Sequence, residues 1–230
     1  MEEIEIDDYV LSLDIQFKRY PMLFQHVQTI INKNGCLTEK EQQLYLLGAE
    51  KFIAKTVNNI KLFKELADNK KGNYVIALKD KNIMLKRELF DFYNDFSKKI
   101  TDTLLPISKT ADSTISCRRS LGYVTTLLYP HFSIDEKTTV RNRTLESFNQ
   151  AMYMAKTSLK FTDDLKLELV LNFANFEHIC YGYTQEAIQI MQEAIGMAME
   201  NGGNELTPKG RRMIEAMINN ITMWCHPDTS

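Results

Sequence analysis

Two stretches of about 30 residues, 39–69 and 74–105, run with one glycine and no proline between them. Read as helices they are each roughly 45 Å long at 1.5 Å per residue, and Gly48 is their one interior weak point. The other breakers lie far apart: Pro21, Gly35, Gly72, Pro106, Pro130, Gly182, the Gly202–Gly203 pair, Pro208 and Pro227. Start signals fall where the breakers leave room for them. Thr38 with Glu41 and Ser133 with Glu136 make capping boxes, and Thr207 places a cap before Pro208 at a first helical position. The pattern predicts helices at 3–17, 20–33, 39–69, 74–105, 111–129, 134–159, 163–181, 185–201 and 208–225. An all-α fold of nine antiparallel helices follows, because short connections make neighbours antiparallel. At 230 residues one domain spanning 1–230 is expected.

Charge and cysteine usage narrow the function classes. The net charge is -2 and the pI near 6.1, and no dense Lys/Arg stripe is interleaved with aromatics, so no nucleic-acid partner is expected. Cys36, Cys117, Cys180 and Cys225 lack CxxC spacing and zinc-finger histidines, and read as reduced thiols with no metal and no cofactor. No apolar run reaches membrane-spanning length, and MEEIEIDDYV is acidic where a signal peptide is basic and then apolar. A cytoplasmic protein with no membrane partner is expected. The sequons at Asn142 and Asn220 carry no weight in such a chain.

LELVLNFANFEHI (167–179) holds a chemical oddity. Leu169, Phe173, Phe176 and Cys180 form an apolar seam at helical spacing, while Asn172 and Asn175 share another face. A buried amide left unpaired costs ~1 to 3 kcal/mol, so both need partners, either in a neighbouring helix or in a ligand backbone laid across this one. Stacked helix hairpins could also form a solenoid, and AMYMAKTSL (151–159) echoes a tetratricopeptide helix, but no second copy recurs at a period of 34.

LKLELVLNFANFEHI and RRMIEAMINNITMW together resemble the end of the 14-3-3 family, with Leu171, Asn172, Asn220 and Trp224 at matching positions. ELFDFYND (88–95) resembles a segment of the same family's fourth helix, and KRYPM (18–22) resembles another of its segments. The resemblance implies a dimeric, nine-helix adaptor with a concave groove, binding extended peptide segments of client proteins that carry phosphoserine or phosphothreonine. Asn172 and Asn220 would grip the peptide main chain, giving affinity without sequence demand. Asn220 shares a face with Met213, Ala216 and Trp224. Asn175 stands where the family usually has an aliphatic residue, and its amide is either a new peptide contact or a packing hydrogen bond.

The phosphate clamp departs from the family. Its Lys and Arg on the third helix fall at Glu50 and Val57, or at Lys51 and Asn58 with a one-residue slip. Its Arg-Tyr pair on the fifth falls at Thr125 and Thr126. Arg118, Lys51 and Lys55 supply positive charge nearby, either as solvated surface charge or as a relocated anion site. A phospho-independent binder, or a dimerisation partner with an idle groove, is therefore the alternative reading. By the same resemblance Arg19 and Glu88 match a salt bridge between subunits, and Met22 with Met84 replaces a second, Asp-Lys bridge. A homodimer is expected, a heterodimer being open. No GxSxG, HExxH, GxxxxGK or GxGxxG is present, His26 and His131 have no obvious carboxylate or thiol partner, and the protein reads as a non-enzyme.

Overall fold

The computed structural model describes residues 3–69, 73–202 and 205–226; Gly72, Gly203, Pro227 and Ser230 lie outside the described residues. Nine helices of 13 or more residues are found there, and no strand. They are α1 (Glu3–Gln16), α2 (Tyr20–Asn34), α3 (Glu39–Asp68), α4 (Asn73–Lys99), α5 (Ala111–Leu128), α6 (Ile134–Ser158), α7 (Asp164–Phe176), α8 (Thr184–Glu200) and α9 (Pro208–Cys225). The chain folds as two compact units, Met1–Lys109 and Thr110–Ser230.

In the first unit the caps behave as the sequence requires. Thr38 accepts from the amide of Glu41 at 3.2 Å, and the Glu41 carboxylate accepts from the amide of Thr38 at 2.6 Å. Gly35 ends α2 in the left-handed region at φ 73°, which a residue with a Cβ rarely adopts. Gly48 has a packing role: a Cβ there would lie 2.0 Å from Leu23 Cδ2, so α2 and α3 touch through it. The buried core is mostly aliphatic, with Leu11, Leu23, Val27, Ile53 and Leu89 fully enclosed, and a half-buried aromatic cluster sets Phe92 against Phe24 at 4.7 Å and against Phe52 at 4.8 Å. One expectation differs: the fourth helix does not stop before Pro106. A π turn, Ile100–Leu104, joins it to a last turn, Leu105–Ile107, and the amide of Leu105 donates to the carbonyl of Ile100. An i→i+5 turn is wider than an α turn, which relieves the contact between a proline ring and the carbonyl four residues back.

His26 corrects another expectation. Its Nδ1 lies 2.6 Å from Oδ2 of Asp14, so a carboxylate partner exists 12 residues away, brought there by the pairing of α1 with α2. Asp14 also receives Arg19 at 3.0 Å, so Arg19 is engaged within its own subunit. Met22 and Met84 are 41% and 54% exposed.

The second unit packs around two apolar clusters on opposite sides of α7. Leu169, Phe176 and Cys180 join Ile115 and Phe148 in one, while Leu167, Val170 and Ala174 join Met191, Ile214 and Met217 in the other. The seam read from the sequence is thus a core seam. Gly122 lets α5 approach α6, since a Cβ there would fall 2.1 Å from Phe148 Cζ. An ion triad ties three helices: Glu168 of α7 takes Arg119 of α5 at 3.1 Å and Lys209 of α9 at 2.7 Å. Thr207 caps α9 and also donates to Asp164 at 2.5 Å, which fixes the start of α9 against that of α7. All four cysteines are free, Cys117 and Cys180 buried, Cys36 and Cys225 exposed.

Candidate functional site

The polar face of α7 and the last helix meet in a hollow of about 360 Å³ within the second unit. From α7 come Asn172 and Asn175; from α9 come Asn220 and Trp224; α5 closes the remaining side with Tyr123, Thr126 and Leu127. A π turn, Glu177–Tyr181, continues α7 and adds His178 and Ile179 to the lining. Gly182, at φ 75°, ends that turn by donating to the carbonyls of Glu177 and His178.

Three amides converge here, and they are not equivalent. Asn220 Nδ2 donates to Asn175 Oδ1 at 2.8 Å, the packing hydrogen bond that was one of two alternatives for Asn175. Asn172 is 6% exposed, and its Nδ2 is buried with no hydrogen-bond partner among the described residues. An unmet buried donor beside a solvent-open hollow is a physical reason to look for a ligand acceptor. Trp224 is held by stacking: the His178 ring lies 4.0 Å away at 19°. His178 in turn places Nδ1 3.0 Å from the Thr184 hydroxyl, and burial pushes the imidazole below its usual value, so it is neutral at pH 7.

Other positions named from the sequence have different surroundings. Leu171 packs on the apolar cluster of Leu167 and Met217 and does not line the hollow. Thr125 is 0% exposed, and its hydroxyl donates to the carbonyl of Leu121 at 2.8 Å. Thr126 lines the hollow, but its hydroxyl donates to Gly122, also at 2.8 Å. A hydroxyl has one proton, and as the two threonines stand each directs it to its own helix. Arg118 lies on α5 beside Glu146 and Tyr153 in a separate hollow of about 580 Å³. Its Nε is buried without a hydrogen-bond partner among the described residues, and burial pushes the guanidinium below its usual value, with Cys117 and Glu146 acting the other way. Glu50, Lys51 and Val57 belong to α3 in the first unit, where Glu50 and Val57 are half-buried and Lys51 is exposed. Lys55, one turn on, sets its ammonium 5.9 Å from the Tyr20 ring centroid.

A family model described as 14-3-3 protein matches residues 11–225. The chain belongs to the 14-3-3 family. Similar proteins include 14-3-3-like protein GF14 epsilon of Arabidopsis thaliana, 25% identical over 229 residues, covering 96% of this chain and 90% of that protein. 14-3-3 protein 3 of Entamoeba histolytica is 24% identical over 224 residues, covering 94% of this chain and 93% of that protein. 14-3-3-like protein C of Glycine max is 22% identical over 223 residues, with 94% and 86% covered. This is a divergent 14-3-3 chain, and its membership sets aside the tetratricopeptide alternative. Adaptor function, the binding of segments of other proteins, comes with the family in general. Among the described residues no helix is long and apolar enough to cross a membrane.

For a 14-3-3 chain the hollow holds residues that sequence reasoning passed over. His178 falls three residues after Asn175, the spacing that puts both on one helix face. Tyr123 and Leu127, four apart on α5, give the same signal beside Thr126. The ring contact that fixes Trp224 has no such signal, because His178 and Trp224 are 46 residues apart.

Proposed function

We propose that this chain is a 14-3-3 adaptor that holds extended peptide segments by their main chain, with phosphate contributing little to affinity. The observation that carries the reading is the unmet Nδ2 of Asn172 beside the Asn175–Asn220 pair. Asn172 has a donor for a peptide carbonyl, and Asn220 keeps its oxygen and one N–H for a peptide amide. Every peptide offers those groups, so the contact gives affinity without reading sequence. Where the family places guanidinium and phenol, Thr125 and Thr126 have their hydroxyl protons turned back on their own helix. The two compact units act as one 14-3-3 domain, and two chains pair as a homodimer, a heterodimer with a related chain using the same surface. The protein works in the cytoplasm and is not an enzyme: burial pushes the Cys180 thiol up to about 12, against the pull of Arg141, which keeps it protonated and unreactive.

The test is a fluorescence-anisotropy titration with one peptide of the family's usual type, prepared with phosphoserine and with serine. The two affinities are expected within about tenfold of each other, and Asn172→Ala weakens both alike. Phosphopeptide binding more than a hundredfold tighter would overturn the reading, and its loss in Arg118→Ala would then place the anion site at Arg118. The Asn175–Asn220 hydrogen bond favours one second reading, in which amides satisfied by each other serve an idle groove and the chain acts only as a dimerisation partner. Absence of binding by either peptide, with dimerisation intact, would select it.

A further inference from the structure

The second unit has another hollow, of about 580 Å³, bordered by the end of α6, by α7 and by α8. That volume lies inside the roughly 300–1,000 Å³ range of small-molecule sites. Leu167, Val170, Ile190, Ala194 and Met197 make its lining hydrocarbon, with Phe161 from the α6–α7 connection. It is not the amide hollow. At 3.6 residues per turn, positions 166, 167 and 170 leave α7 about half a turn from 172 and 175.

The charged groups around this lining are two ammoniums and one carboxylate: Lys156, Lys166 and Glu193. The carboxylate is engaged on its own helix, accepting from Gln189 at 2.8 Å. Lys166 Nζ donates to the Leu159 carbonyl at 3.0 Å and lies 4.2 Å from the Phe161 ring centroid, which leaves two of its three N–H groups. Burial lowers its pKa, with nearby Asp163 acting the other way, so water serves this ammonium less well than an exposed one. Apart from the Tyr153 hydroxyl no neutral polar side chain lines the hollow, and a peptide main chain laid there would leave its amides unmet.

We propose that this hollow binds a single-chain amphiphile of the fatty-acid class, its hydrocarbon tail on the apolar lining and its carboxylate on Lys166 and Lys156. The inference is independent of the peptide site, since the two hollows share no lining residue. Calorimetric titration of the full chain with decanoate and dodecanoate, below their micelle concentrations, tests it. Saturable one-to-one binding is expected, tightening roughly fourfold per added methylene. Decanol, with the tail but no charge, binds at least tenfold more weakly than decanoate. Lys166→Met removes most of that difference and leaves decanol binding unchanged, whereas Ala194→Trp, which fills the hollow, abolishes both. Methyl NMR of the unmodified chain gives a second measurement: decanoate should shift signals of Leu167, Val170 and Ile190. No saturable binding, equal affinity for decanoate and decanol, tighter binding of decyltrimethylammonium, or shifts confined elsewhere would each overturn the proposal.

Discussion

The side chain of Asn220 donates to that of Asn175 across 2.8 Å, joining two amides that lie 45 residues apart on α9 and α7. The bond is half-buried, between neutral groups, and such bonds contribute about 0.5–1.5 kcal/mol net. A double-mutant cycle with Asn175→Ala and Asn220→Ala, read by urea denaturation, should give a coupling energy in that range. Strictly additive effects would mean the bond does not form in solution. Asn175→Val, which restores an aliphatic residue, should release Asn220 and strengthen binding of an unphosphorylated peptide.

Gly122 should resist even one added methyl. An alanine Cβ would lie within 2.7 Å of three ring atoms of Phe148, which is itself fully buried. Overpacking of this type costs ~1–3 kcal/mol, so Gly122→Ala should lower the denaturation midpoint by a corresponding amount. An unchanged midpoint would show that α5 and α6 sit further apart than described.

Much of this architecture is legible in the chain, for local reasons. Thr38, Ser133 and Thr207 announce helix starts through side chains that reach only three residues, and Gly35 and Gly182 end helices through their own φ. The π turns at Ile100–Leu104 and Glu177–Tyr181 are not legible, because an apolar pattern at helical spacing does not distinguish an i→i+4 turn from an i→i+5 turn. The Asn172 face is readable as chemistry awaiting a partner, yet the partners depend on which helices pack together. Asn175 finds Asn220, His26 finds Asp14, and His178 finds Trp224, all through tertiary contacts. Thr125 illustrates the remaining gap: alignment places it in a clamp, and only packing reveals that it is fully buried.

Stability should fall on mild acidification, with His178 contributing. Burial lowers its folded-state pKa below the ordinary value near 6.5. Between the folded pKa and about 6.5 the unfolded chain binds more protons, so stability rises with pH through that window and is level above it. Loss therefore begins as pH falls through about 6.5 and ends below the folded pKa. Urea midpoints of the native chain and of His178→Gln, compared from pH 5 to pH 7.5, should diverge in that direction. Parallel curves would rule out a titrating His178.

Dimerisation should depend on two exposed methionines. Met22 and Met84 stand where the family resemblance puts an Asp-Lys bridge between subunits, and both are open on the single chain. An apolar contact in place of an ion pair can be neutral or stabilising, and burying a methionine contributes about 1.5–3 kcal/mol. Met22→Glu should therefore weaken the dimer roughly tenfold to a hundredfold in sedimentation. Met22→Asp with Met84→Lys should recover most of that loss. A native chain monomeric at micromolar concentration would sink the idea, as would a dimer indifferent to both positions.

Rebuilding the phosphate clamp should restore phosphate dependence at a cost in stability. On the proposed reading the clamp lacks two guanidiniums, and at about 1.5–3 kcal/mol for each hydrogen bond to a charged group their loss removes roughly 3–6 kcal/mol, or two to four decades of affinity. Val57→Arg with Thr125→Arg and Thr126→Tyr should therefore raise the phosphopeptide-to-peptide affinity ratio by at least a hundredfold. Thr125 determines the penalty. It is fully buried, its hydroxyl is tied to Leu121, and an arginine there carries its charge out of water until a phosphate arrives. The triple variant should unfold at lower urea than the native chain when empty and regain the difference when saturated with phosphopeptide. Val57→Arg with Thr126→Tyr alone should gain about tenfold in the ratio and lose less stability than the triple variant, although Thr126 is itself buried and a larger side chain there costs ~1–3 kcal/mol. A triple variant with no gain in that ratio would show that the clamp cannot be rebuilt at these three positions.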